Sequence, residues 1–100
     1  MVSITPLSTI KVFYMQYSVE LKPKAVKFLK SISKEDKDRI EKRLLDLSKN
    51  PRNESVIKLS GKDPEQYRAR QGDYRILFMI IDLKLVVEVI DIVHRKDAYK

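Results

Sequence analysis

At 100 residues the chain holds one hydrophobic core rather than two, and 43% hydrophobic with 35% charged residues marks a folded globular protein rather than a disordered one. The 21 lysines and arginines outnumber the 14 aspartates and glutamates; the formal charge of +7 draws polyanions, nucleic acid foremost, with a basic surface kept for solubility as the competing explanation. Absence of cysteine excludes disulfides and thiolate metal sites and is compatible with the cytoplasm, the expected location; a lone histidine makes no zinc site without several converging carboxylates, and no apolar run spans a bilayer, so no metal, cofactor or membrane is expected.

Residues 1–14 carry neither the apolar core nor the cleavage pattern of a signal peptide. Met15 is followed at once by strand-like alternation, which makes it a candidate true start, residues 1–14 an N-terminal extension, and residues 15–100 a single domain. Thr9 to Tyr14 add at most to the first strand. From Gln16 to Leu21, Tyr17, Val19 and Leu21 alternate with polar residues, the period of a half-buried strand. Pro23 suits the first turn of a helix whose Ala25, Phe28, Leu29 and Ile32 share a face.

Ser33 caps a second helix with Asp36 three residues on, and Ile40, Leu44 and Leu47 recur along it until Asn50 and Pro51 stop it. Its outer cations, Lys34, Lys37, Arg39, Lys42 and Arg43, read as solvated surface. Pro51 to Pro64 reads as connection, with a turn at Ser60-Gly61. Tyr67 to Gln71, Tyr74 to Ile81 and Leu85 to Val93 are three strands joined by turns at Gly72-Asp73 and at Asp82 to Lys84. Ile76 to Ile81 is apolar on both sides, as in a strand covered on both faces. The predicted fold is α+β: an N-terminal strand, then a two-helix hairpin packed on one face of a small, mainly antiparallel sheet completed by a three-strand C-terminal meander.

Strand alternation puts Arg68 and Arg70 on one face; charge that protects an exposed strand is the ordinary explanation and phosphate binding the functional one. Arg75 stands at the entrance to the most apolar strand, where its charge is answered by a carboxylate such as Asp73 or Asp91, or is held toward phosphate oxygens. His94 closes the last strand as the chain turns basic, and histidine is the side chain suited to proton transfer near neutrality. Tyr99 offers a ring on which an unpaired base can stack, or packs the terminus against the sheet.

Four segments in order, Lys58-Leu59-Ser60-Gly61, Tyr67-Arg68-Ala69-Arg70, Gly72-Asp73-Tyr74-Arg75-Ile76-Leu77-Phe78 and His94-Arg95-Lys96-Asp97-Ala98-Tyr99, resemble the RelE/ParE toxin superfamily. The likeness runs from about Met15 to Tyr99. It implies a RelE-like fold and a toxin of a toxin–antitoxin pair, with a cognate antitoxin as partner. For the RelE-like branch it implies ribosome-dependent cleavage of mRNA by attack of the ribose 2′-hydroxyl on the adjacent phosphate.

Carried over by position, Arg75 stabilises the scissile phosphate, Arg68 and Arg70 stand where RelE has two lysines, and Arg95 binds phosphate, with Lys58 and Lys96 as further RNA contacts. Tyr99 stacks on the substrate, and His94 falls near a histidine used for proton transfer in YoeB-like toxins. Arginine stays protonated, so the general base falls to His94. The segment from Arg95 to Tyr99 is shorter than in RelE. The ParE-like branch implies instead a non-nuclease that inhibits DNA gyrase, and a degenerate member would bind only its antitoxin. The expected site is one concave face on which Arg68, Arg70, Arg75, His94 and Tyr99 converge.

Overall fold

The computed structural model describes residues 16–97. The expected extension at residues 1–14 and the expected site residue Tyr99 lie outside them. Five strands and two helices follow in chain order: β1 (Ser18–Leu21), α1 (Pro23–Lys30), α2 (Lys34–Lys49), β2 (Ile57–Lys58), β3 (Tyr67–Gln71), β4 (Tyr74–Ile81) and β5 (Val86–His94). They form one sheet in the order β1-β5-β4-β3-β2, with β1 parallel to β5 and the other pairs antiparallel. The α+β architecture read from the sequence is the one observed.

Both helices bury their apolar stripes on one side of the sheet. Ala25 and Leu29 from α1, and Ile40, Leu44 and Leu47 from α2, meet Tyr67, Ala69, Ile76, Phe78, Val87, Val89 and Ile92. Phe78 is fully buried at the centre, and its ring stacks on Tyr67 at 5.8 Å. Removing such a side chain from water stabilises the fold by about 1.5–3 kcal/mol. Ser33 caps α2 as expected, its hydroxyl accepting the Asp36 N–H at 3.2 Å.

Three expectations are corrected. The first strand begins at Ser18 rather than Gln16, because the Tyr17 N–H is donated to Ser48 O at the end of α2 instead of to β5. Ile57 and Lys58, read as connection, form the short edge strand β2 on β3; two residues are too few for alternation to show. In β4 the helices cover only one side: Leu77, Met79 and Ile81 on the other side are half-buried and stand apart from the core. That second, open side carries the arginines.

Candidate nucleic-acid interface

Cross-strand partners share a face, so the register assigns each candidate to one side of the sheet. Arg70 pairs with Arg75, and Arg68 pairs with Leu77 one step further along the same open side. Tyr67, Ala69 and Ile76, which alternate with these residues, point into the core. Two guanidinium-bearing residues directly opposite each other destabilise a sheet, as like charges do at such positions. Arg75 is buried here and makes interactions of its own, whereas Arg70 is exposed. The Nε of Arg68 is buried, and no acceptor bonds to it among the described residues.

A helix residue holds this site from behind. Arg43 of α2 donates from Nε to the Arg70 carbonyl at 3.1 Å and from Nη2 to Ser55 Oγ at 2.5 Å. It fixes the end of β3 beyond the reach of β2. Read from the sequence, Arg43 belonged to a solvated surface; its trace is that it follows the buried Ile40 by three positions, on the flank of the stripe that faces the sheet.

The other candidates separate from the three arginines. His94 pairs with Tyr74, and that row faces the helices: the Tyr74 ring meets Phe28 edge-on at 5.8 Å and His94 at 5.4 Å. His94 Nδ1 accepts the Lys96 N–H at 3.3 Å, within the short turn Arg95–Asp97. The convergence expected of His94 with Arg68, Arg70 and Arg75 is therefore not found. Lys58 pairs with Tyr67, on the side opposite Arg68, and its ammonium sits 2.8 Å from the Glu65 carboxylate, which holds the lysine pKa up. Arg95 lies past the end of β5, with its N–H on Asp73 O at 2.6 Å and its Nε 3.6 Å from Asp73 Oδ1. Lys96 beside it is exposed.

At the far end of the sheet Arg52 grips Asp82 through two contacts of 3.0 and 2.9 Å, and Tyr17 donates to the same carboxylate at 2.7 Å. This cluster ties the loop after α2 to the β4–β5 turn. It lies away from the arginine rows and reads as structural. Among the described residues no group of His, Asp and Glu is placed to hold a metal ion, and no helix is long and apolar enough to cross a membrane.

The family model for the ParE toxin of the parDE type II toxin–antitoxin system matches residues 19–99. No curated protein sequence matches at a significant level. Among solved structures the chain is similar to one from the archaeal RelE–RelB complex of Pyrococcus horikoshii OT3, at 31% identity and TM-score 0.72, over 84% of this chain and 100% of that one. It is similar to one from the RelBE2 toxin–antitoxin complex of Mycobacterium tuberculosis, at 25% identity and TM-score 0.72, over 83% and 95% of the two chains. The isolated RelE toxin of E. coli is similar at 28% identity and TM-score 0.69, over 83% and 90%.

Proposed function

This chain belongs to the RelE/ParE toxin superfamily of type II toxin–antitoxin systems, and from that premise we propose that it is a cytoplasmic, ribosome-dependent endoribonuclease that cuts mRNA. The observation that carries the reading is the open face of the sheet, where Arg70 stands directly opposite Arg75 with Arg68 one step away. Attack of a ribose 2′-hydroxyl on the neighbouring phosphate forms one P–O bond and breaks the bond to the 5′-oxygen, leaving a cyclic phosphate and a free 5′-hydroxyl; the 2′-hydroxyl proton passes to solvent and the 5′-oxygen takes one up from it. Negative charge builds on the phosphate oxygens during this step, and guanidinium groups fixed on a rigid strand stabilise it without reorganising.

Arg70 and Arg75 flank the phosphate, Arg68 binds the next one along, and Arg95 and Lys96 add charge from the turn past β5. Tyr99 takes the base-stacking role that the resemblance implies. His94 faces the helices, and arginine does not act as a base at neutral pH. The contribution of this chain is accordingly charge stabilisation, and orientation of the 2′-hydroxyl comes from the mRNA as the ribosome holds it. The solved complexes of similar toxins with RelB-type antitoxins support an antitoxin as the protein partner.

Primer extension on translated mRNA, in cells expressing the protein, tests this reading. Arg70→Ala and Arg75→Ala are each expected to lower cleavage about a hundredfold or more, the usual cost of losing one donor to a developing oxyanion. Cleavage that persists in both variants refutes the assignment. Intact mRNA together with blocked DNA supercoiling would point to gyrase instead.

A further inference from the structure

The sheet ends on the row Gln71, Tyr74 and His94, which faces the helices. Between this row and the first turns of α2 lies a cavity of about 260 Å³, lined by Asp36, Arg39, Gln71, Asp73, Tyr74 and His94. One residue further in, about 3.4 Å along the strands, the opposite face carries Arg70 and Arg75. The cavity therefore opens at the rim around which a nucleotide can turn while its phosphate stays on the arginines. We propose that this cavity receives a guanine base from the RNA strand whose phosphates lie on the arginine face. The inference rests on the RNA reading above and adds a base-recognition site to it.

Size and lining carry the argument. Drug-sized ligands occupy roughly 300 Å³ and more, so this smaller space suits a single planar base rather than a whole nucleotide. Unpaired bases bind proteins by leaning on aromatic rings while their Watson–Crick edge is read by polar groups. Tyr74 and His94 supply the rings, and both are fixed: the Tyr74 hydroxyl donates to Asp36 Oδ2 at 2.7 Å, and the Lys96 N–H holds His94 Nδ1. The bond to Asp36 raises the Tyr74 pKa, so the phenol keeps its proton as the donor.

The polar groups select among bases. Guanine presents two neighbouring donors, N1–H and the N2 amine, beside the acceptor O6. One carboxylate accepts both donors, and a guanidinium or amide donates to O6. Asp36 is already engaged with Tyr74 and with Arg39 at 3.4 Å. Asp73 is exposed on the turn; among the described residues its carboxylate meets Arg95 at the longer distance of 3.6 Å and has lone pairs to offer. Gln71 and Arg39 supply the donor. Uracil offers a single donor, N3–H, flanked by two carbonyl oxygens that a carboxylate repels, and adenine and cytosine each offer a single amine. Arg39 and Arg95 beside the two aspartates keep the rim from repelling the RNA backbone.

Fluorescence anisotropy with the full chain and two labelled RNAs tests the site: an all-uridine oligomer, and the same oligomer with one central guanine. The guanine oligomer is expected to bind about tenfold more tightly, the size of one good bidentate contact. Asp73→Asn, which replaces an acceptor by an amide, is expected to erase most of that ratio, and His94→Ala to reduce it. Equal affinity for the two oligomers, or a tenfold ratio that survives Asp73→Asn, overturns the base site and leaves phosphate binding by the arginines standing. Failure of the protein to bind either RNA removes both.

Discussion

Replacing Arg70 by threonine is expected to make the protein more stable and a poorer binder of RNA. Arg70 and Arg75 are directly opposed across β3 and β4, and a like-charge pair at such positions costs a few tenths to about 1 kcal/mol. Arg70 is exposed, so little packing is lost, and threonine suits a strand. The Arg43 bond is made to the Arg70 backbone carbonyl and survives the change of side chain. A gain of about 0.5 kcal/mol corresponds to roughly 2–4 °C in Tm for a domain of this size. The gain should shrink near about 1 M salt, where the screening length falls to roughly 3 Å.

Binding should respond the other way. Loss of one phosphate contact to single-stranded RNA lowers the slope of log affinity against log salt by about 0.7. Scanning calorimetry and RNA binding over a salt series measure the two effects on the same preparation. A lower Tm in Arg70→Thr, or a salt slope equal to that of the parent, would refute the reasoning that this pair is kept for phosphate at the expense of the sheet.

Asp82 tests the far end of the sheet by pH: its contacts with Arg52, and then with Tyr17, lower its pKa from 3.8 to about 2. A carboxyl lowered by folding contributes stability above its unfolded pKa and loses it as pH falls through the folded one. Tm should therefore drop between about pH 4 and 2, and Asp82→Asn should flatten that drop in a pH series followed by circular dichroism. Phe78→Ala empties the centre of the core and is expected to cost about 3–5 kcal/mol, read from the urea midpoint.

Much of the fold was legible because its elements announce themselves locally. Ser33 with Asp36 marks the start of α2, and the Gly72-Asp73 pair marks the β3–β4 hairpin, where Gly72 takes a φ of +59°. The facing of Arg68 and Arg70 follows from alternation within one strand, and their alignment with Arg75 follows from a two-residue turn that fixes register. Arg43 was not legible in its role, since its partners lie 12 and 27 positions away and depend on how α2 crosses β3. The cavity at the sheet's end has the same origin: α2 brings Asp36 and Arg39 to a row of β-residues that no sequence spacing links to them.

The facing of His94 has a more specific cause. In the first half of β5, Val87 and Val89 face the core, so odd numbers point to the helices. The pairing then slips: Phe78 sits opposite Val89 but Leu77 opposite Asp91, and Ile90 is the extra residue of a bulge. Beyond it Ile92 faces the core, and even numbers point to the helices. Uninterrupted alternation would have put His94 on the open face with Arg70 and Arg75; the bulge turns it to the other side. A trace of this is visible in the sequence, where the polar residues Glu88 and Asp91 are three apart rather than an even number. The apolar residues around them hide it, because Val and Ile occupy both faces of this strand. One inserted residue thus separates the group suited to proton transfer from the groups that bind phosphate, and it places an aromatic ring at the mouth of the cavity instead.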